Sequence, residues 1–287
     1  MQTRTIGTST VSAIGLGGMP LSIEGRPDDR GRAVATIHAA LDAGTTLIDT
    51  ADAYHLHADE VGHNEVLIAQ ALATYGGDTS EVLVATKGGH LRPGDGSWTV
   101  DGSPQHLREA CDASLKRLGV DAIGLYQFHR PDPKVDYADS AAAIAELLDA
   151  GKIRMAGISN ASVDQIRQSQ EILGGRLVSV QNQFSPRFRS SEVELRLCDE
   201  LGLAFLPWSP FGGSSHAGEL GSRHSAFAEV AERHGVSAQQ VTLAWMLALS
   251  PVVIPIPGST RPETIRDSAA AVDLVLTTQE VEALSGS

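Results

Sequence analysis

Cysteine is scarce in this 287-residue chain, which contains only Cys111 and Cys198. Each lies in a segment whose apolar residues recur at helical spacing, so we expect both to be small core residues in a reducing compartment. Two such cysteines do not indicate a disulfide framework, a zinc site or a pair of nucleophiles.

Basic residues are also few: 22 Lys and Arg stand against 35 Asp and Glu, for a formal net charge of −13. Lys and Arg form no cluster along the chain, and clustered basic groups are what binds a phosphate backbone. The composition therefore argues against a nucleic-acid partner. The acidic balance also predicts mild long-range repulsion of anionic substrates.

Long apolar runs are missing. No stretch approaches the ~18 consecutive apolar residues of a membrane-spanning helix. The N-terminus lacks the basic start and apolar run of a signal peptide. We therefore expect a cytoplasmic protein without a membrane segment.

The glycine pattern G-x-G-x-x-G opening a helix is absent, although the segment 15–20 reads GLGGMP. This argues against a doubly wound open sheet, the alternative α/β fold.

The chain contains a set of short runs rich in Val, Ile and Leu, separated by helical patterns. These runs occupy residues 13–19, 46–52, 82–89, 122–129, 153–160, 177–184, 203–210 and 252–259.

Eight buried parallel strands alternating with helices predict an α/β fold, the closed (β/α)8 TIM barrel. Residues 4–15 predict a β-hairpin before the first barrel strand, and extra helices follow near the C-terminus at 223–235 and 237–249. No linker, low-complexity tract or repeat interrupts the chain. We therefore predict one barrel domain over residues 1–287.

Polar side chains follow the apolar runs, where each predicted strand ends. Strand two runs into Asp49, Asp52 and Tyr54, strand three ends at Lys87, and strand four ends at His129 and Arg130. Groups at the carboxyl ends of barrel strands meet at one mouth. A tyrosine beside an ammonium and a carboxylate, with a histidine to bind a carbonyl oxygen, suits protonation of that oxygen. The hydride must then come from a nicotinamide or flavin.

The chain resembles the aldo-keto reductase superfamily, in particular its bacterial-type NADPH-dependent members. The matching segments, in family order, are DTADAY (49–54), ATK (85–87), YQFH (126–129), GISN (157–160), VQNQFSP (180–186), WSPFGG (208–213) and IPGS (256–259). The resemblance implies a catalytic tetrad of Asp49, Tyr54, Lys87 and His129. Tyr54 would be the general acid in reduction, with its pKa depressed by Lys87, and His129 would orient the carbonyl group.

The resemblance also implies a nicotinamide dinucleotide across the barrel mouth. Its implied ligands are Ser159, Asn160 and Gln181 at the carboxamide, Trp208 on the ring, Ser209, Pro210 and Phe211 along the pyrophosphate, and Gly258, Ser259 and Arg261 near the adenosine phosphate. Many members carry a lysine and an arginine where this chain has Gly258 and Thr264. Arg261 is then the remaining candidate for the 2′-phosphate. We predict NADP as the preferred cofactor, with NAD as the alternative.

The loop after Tyr54 holds His55, His57 and His63, with Asp59 and Glu60 nearby. This spacing is weak evidence for a metal, and we predict none. His55 and Trp98 are the candidate substrate contacts, with a loop anchor as the alternative for Trp98. Asp52 is predicted to be structural or solvent-facing. Trp245, on an apolar helix face, is predicted to lie in the core.

The leading hypothesis is thus a reversible reductase of small aldehydes or ketones, monomeric or weakly homo-oligomeric. Two alternatives stay open from the sequence. One is a lyase whose Lys87 forms a Schiff base with a carbonyl substrate. The other is a nucleotide-binding regulatory subunit on the same fold, without catalysis.

Overall fold

Strands and helices alternate along most of the chain. The computed structural model describes residues 2–23, 26–27, 29–213 and 225–286. The strands in these ranges are β1 (Thr3–Ile6), β2 (Ser9–Ser12), β3 (Leu16–Gly17), β4 (Leu47–Asp49), β5 (Leu83–Gly88), β6 (His90–Leu91), β7 (Thr99–Val100), β8 (Ile123–Phe128), β9 (Ile153–Ser159), β10 (Leu177–Gln181) and β11 (Ala204–Phe205). The helices are α1 (Arg30–Asp42), α2 (His63–Thr74), α3 (Pro104–Leu118), α4 (Tyr137–Asp149), α5 (Val163–Ile172), α6 (Glu192–Leu201), α7 (Ser225–His234), α8 (Ala238–Leu249), α9 (Pro262–Ala270) and α10 (Thr278–Ser285).

Seven parallel strands form the barrel sheet in the order β11-β10-β9-β8-β5-β4-β3. The eighth predicted strand, 252–259, closes the gap between the two edge strands. Val253 bridges to Phe205 and Gly258 bridges to Gly17. These contacts remain isolated bridges because Pro255 and Pro257 have no N–H, although their carbonyl oxygens accept bonds from the β3 side. The (β/α)8 barrel predicted from the sequence is confirmed.

The barrel interior and its N-terminal end are filled with apolar side chains. Ile6 and Val11, on the predicted β1–β2 hairpin, join a buried cluster with Leu47, Leu125 and Ile256 from the barrel strands. The polar side chains lie beyond this cluster, at the carboxyl ends of the strands. The interior therefore blocks one end of the barrel and leaves the other for chemistry.

Helix α3 begins and ends at residues suited to cap it. Ser103 accepts a bond from the backbone N–H of His106, Pro104 opens α3, and Gly119 ends it in the left-handed conformation. The predicted helix 223–235 is observed as α7, and residues 223 and 224 lie outside the described residues. No helix in the described ranges is long and apolar enough to cross a membrane.

The outer core confirms three predictions about single residues. Trp245 is buried and stacks on Phe184 at 5.8 Å between ring centroids. Cys111 and Cys198 are buried free thiols in α3 and α6. Burial raises the pKa of each thiol to about 12, so neither is a ready nucleophile.

Candidate active site

Lys87 is the centre of the polar cluster at the barrel mouth. Its ammonium nitrogen donates to Asp49 Oδ2 at 2.7 Å, to the Thr50 carbonyl oxygen at 2.8 Å and to the Tyr54 hydroxyl oxygen at 3.1 Å. An ammonium has three donors, and all three are used. Parallel pairing of β4 with β5 places Asp49 beside the end of the lysine strand. Local strand geometry thus brings the three predicted residues together.

Burial governs the ionisation of this cluster. Lys87 is 0% exposed and Tyr54 6% exposed. Burial lowers the pKa of Lys87, but Asp49 and Tyr54 outweigh burial and raise it above 10.5. Burial raises the pKa of Tyr54 above 10.0, and the opposing effect of Lys87 does not cancel it. The predicted depression of the tyrosine pKa is therefore wrong for this structure, because desolvation of the phenolate exceeds its attraction to the ammonium.

His129 follows β8 and lies beside the tyrosine. The two rings meet edge to face, with centroids 5.8 Å apart. Burial, followed by the charge of Lys87, lowers the pKa of His129 well below 6.5. The imidazole is therefore neutral at pH 7 and carries a single N–H. Its Nδ1 is buried without a hydrogen-bond partner among the described residues.

The three predicted carboxamide residues lie on the next two strand ends. Gln181 Nε2 donates to Asp49 Oδ1 at 2.7 Å, so the carboxylate is held from both sides. Ser159 Oγ donates to the Gln181 carbonyl oxygen. Asn160 has a positive φ of 56° and donates to the His129 carbonyl oxygen. The sequence did not predict the link from Gln181 to Asp49, which spans the barrel mouth.

The segment after β11 has the features of a cradle for a phosphate-bearing ligand. Ser209, Gly212 and Gly213 have positive φ values of 51°, 83° and 110°. A Cβ at Gly213 would meet no described residue within 4 Å, and glycine at a positive φ lets a ligand approach the backbone closely. Trp208 is partly buried, and its indole N–H has no partner among the described residues. Pro210 and the Phe211 ring are buried behind the segment. These residues fit a bound dinucleotide.

The predicted adenosine-phosphate residues lie where the chain enters α9. Gly258 bridges to Gly17, and Ser259 Oγ accepts from the backbone N–H of Arg261. The Arg261 side chain is about half exposed and lies 3.6 Å from Glu263. Its guanidinium is not held by any buried partner among the described residues, so it is available to a ligand at the surface.

The two predicted substrate contacts differ in exposure: His55 is buried, and Trp98 is partly exposed. His55 is buried, and its Nδ1 bonds to the carbonyl oxygen of His57, which holds the loop after Tyr54. Trp98 is 38% exposed on the small β6–β7 hairpin and stacks on His90 at 4.5 Å. His90 in turn packs edge-on against His129 at 4.8 Å. The sequence analysis missed His90, whose only signal is its position three residues after Lys87.

Asp52 is 4% exposed, so the solvent-facing alternative for this residue is wrong. Burial, with the nearby carboxylate of Glu65, raises the pKa of Asp52 to about 8. Glu65 itself is bound by Arg117 at 2.5 Å and by the Thr86 hydroxyl. The Arg117 guanidinium is therefore the positive charge near both buried acids, and it bonds Glu65. Asp52 carries a proton at pH 7 because its pKa is about 8. Its role in the described structure is structural.

The chain is similar to known oxidoreductases over most of its length. Residues 13–287 match the model of the aldo/keto reductase family. The chain is 36% identical to a 6-dehydroglucose reductase of Novosphingobium aromaticivorans, covering 91% of this chain and 86% of that protein. It is 34% identical to an oxidoreductase of Schizosaccharomyces pombe, over 96% of this chain and 86% of that one. A solved aldo/keto reductase from Klebsiella pneumoniae, in complex with NADP and acetate, is 27% identical with a TM-score of 0.81, covering 99% and 94% of the two chains.

Proposed function

The chain belongs to the aldo/keto reductase family, and from that premise we propose that it reduces aldehydes or ketones to alcohols, reversibly, with NAD(P)H. One observation carries the proposal. The Tyr54 hydroxyl oxygen accepts a hydrogen bond from Lys87. No described residue accepts a hydrogen bond from the Tyr54 hydroxyl group. That hydrogen is available to a carbonyl oxygen at the barrel mouth.

Each residue of the tetrad then has one task. Tyr54 donates its proton to the carbonyl oxygen as hydride reaches the carbon. The Lys87 ammonium stabilises the phenolate that remains, and Asp49 keeps the ammonium charged and in place. The neutral His129 donates a hydrogen bond to the same oxygen and orients it. Tyr54 is protonated at pH 7, as a proton donor must be, and the Lys87 ammonium offsets part of the burial that raises the pKa of Tyr54 and weakens it as an acid.

A nicotinamide dinucleotide, when bound, would supply the hydride. In our proposal Ser159, Asn160 and Gln181 would hold its carboxamide, and Trp208 would hold its nicotinamide ring. Ser209, Pro210 and Phe211 would hold its pyrophosphate, and Gly258, Ser259 and Arg261 would hold its adenosine phosphate. NADP is the preferred form, supported by the relative bound to NADP, and NAD is the alternative. The name of the 6-dehydroglucose reductase makes sugar aldehydes the first substrates to assay.

The Schiff-base alternative is not favoured. A lysine nucleophile must lose its proton to attack a carbonyl carbon, and Asp49 and Tyr54 raise the pKa of Lys87 despite its burial. The same contacts support an electrostatic task for this ammonium.

The test is a panel of aldehydes, ketones and aldoses assayed for oxidation of NADPH and of NADH, with wild type, Tyr54→Phe and Tyr137→Phe. Tyr137 is the matched control, because its hydroxyl bonds Ser169 between α4 and α5 and contacts no residue of the tetrad. We expect Tyr54→Phe to lower kcat by ~100-fold or more with cofactor affinity nearly intact, and Tyr137→Phe to stay close to wild type. Turnover of Tyr54→Phe at the wild-type rate would remove Tyr54 from the acid role. A wild-type protein that oxidises neither cofactor with any carbonyl compound would contradict the proposed function.

A further inference from the structure

A continuous wall of rings leads from the tetrad to a positive charge. The His129 ring contacts the His90 ring, which stacks on Trp98 at an interplanar angle of 25°. The guanidinium carbon of Arg92 lies 4.8 Å from the centroid of the Trp98 ring. The wall therefore begins beside Tyr54 and ends at a cation.

A second guanidinium stands beside this wall. Arg130 directly follows His129, and both Arg92 and Arg130 are partly buried. The Nε atoms of both are buried without a hydrogen-bond partner among the described residues. Arg4 and Arg189 also have an unpartnered Nε, but each uses a terminal nitrogen to bind another group. Arg92 and Arg130 form no hydrogen bond or ion pair with any described residue.

The surroundings of the wall are positive in an otherwise acidic protein. Burial, followed by Lys87, His90 and Arg130, lowers the pKa of His129, and no acid contributes there; Lys87 and Arg130 supply the positive charge at pH 7. The same holds at His90, where burial, Arg130 and Lys87 lower the pKa to about 4. Elsewhere in the described structure Arg26, Arg108 and Arg176 each bind a carboxylate. Partly buried guanidinium groups without such a partner are suited to an anionic ligand.

We propose that the substrate carries a carboxylate in addition to its carbonyl group, and that Arg92 and Arg130 bind this carboxylate at the substrate side of the mouth. This inference rests on the proposed function. A guanidinium binds a carboxylate through two parallel N–H bonds, which gives both affinity and orientation. The net charge of −13 does not oppose this binding strongly, because salt screens distant charges beyond ~8 Å. The repulsion of anionic substrates predicted from composition is thus overridden locally.

A cofactor phosphate is the competing ligand for the two arginines. The residues proposed for the cofactor phosphates lie after β11 and at 258–261, whereas Arg130 follows β8, which pairs with β5 and β9. Two strands, β9 and β10, lie between β8 and β11 in the sheet order. The position of the arginines therefore favours the substrate.

The first test compares 4-carboxybenzaldehyde with its methyl ester, methyl 4-formylbenzoate, in wild type, Arg92→Gln, Arg130→Gln and Arg154→Gln. Arg154 is the matched control, since it is exposed at the start of β9, at the opposite end of the barrel. We expect wild type to prefer the acid. Each mouth variant should lower kcat/KM for the acid about tenfold more than for the ester, and Arg154→Gln should leave the ratio unchanged.

Three outcomes would overturn the inference while leaving the reductase function intact: a wild-type preference for the ester, equal losses on both aldehydes, or a weakened Kd for NADPH in place of a changed ratio. Failure of both aldehydes and of every other carbonyl compound would contradict the proposed function itself.

A second readout does not depend on turnover. By calorimetry, benzoate should bind wild type more tightly than Arg130→Gln, and benzamide should not distinguish them. Equal benzoate affinity in the two proteins would also overturn the inference.

Discussion

The ammonium nitrogen of Lys87 lies 3.1 Å from the hydroxyl oxygen of Tyr54, with both side chains buried. The phenol accepts this bond, so its oxygen is in contact with positive charge before any proton leaves. Burial penalises the phenolate, and the ammonium offsets part of that penalty. The pair therefore holds a proton that is stable at pH 7 and has a stabilised conjugate base, as a general acid requires.

The ion pair between Asp49 and Lys87 predicts that a second substitution can restore the stability lost in a Lys87 variant without restoring its activity. Lys87→Met leaves the Asp49 carboxylate buried without its countercharge, which costs ~3–5 kcal/mol of unfolding free energy. Adding Asp49→Asn should restore much of that stability, because both charges are then gone. Activity should stay at least ~100-fold below wild type in both proteins, because the stabiliser of the phenolate is missing. Urea unfolding and kcat measurements check this. Recovery of activity together with stability would contradict the assigned task of Lys87.

The pKa directions predict the pH dependence of reduction. Tyr54 must be protonated, and its pKa and that of Lys87 lie above 10.0 and 10.5. His129 must be neutral, and its pKa lies well below 6.5. We therefore expect kcat/KM for reduction to be flat between about pH 6 and 9 and to fall above about pH 10. A fall between pH 7 and 9 that persists in Asp52→Asn would contradict the acid role of Tyr54.

The buried carboxyl of Asp52 predicts a pH dependence of stability. Its pKa is raised from 3.8 to about 8, so between these values the folded protein binds a proton that the unfolded chain has lost. Stability is fully present below about pH 4 and declines as the pH rises toward 8, since folding must protonate this group or bury its charge. Asp52→Asn should reduce this decline by more than ~1 kcal/mol between pH 5.5 and 8. Parallel urea-unfolding curves of the two proteins at both pH values would refute the assignment.

The half-exposed Arg261 predicts a difference between the affinities for NADPH and NADH. If its guanidinium binds the 2′-phosphate, Arg261→Ala should weaken NADPH about tenfold and NADH much less. Glu263→Gln tests whether the contact with Arg261 itself matters, and we expect it to leave the ratio of the two affinities unchanged. Fluorescence titration gives both constants. Equal weakening of NADPH and NADH in Arg261→Ala would show that another group binds the phosphate.

The sequence by itself determined the barrel and the residues at its mouth. Buried parallel strands have a local apolar signature, and a strand that ends at Asp49 or Lys87 must present these groups at the carboxyl edge. The prediction of one domain over 1–287 and the cofactor roles of the site residues stay predictions.

Only the tertiary structure decided which mouth residues touch and how they ionise. Curvature of the sheet brings Gln181 of β10 to Asp49 of β4, and the β6–β7 hairpin brings His90 to His129, so both contacts depend on segments far apart in sequence. Burial at the mouth raises the pKa of Tyr54. Burial first and Glu65 second raise the pKa of Asp52, and Arg117 opposes them. Desolvation is a property of the packed protein, and a local motif does not contain it.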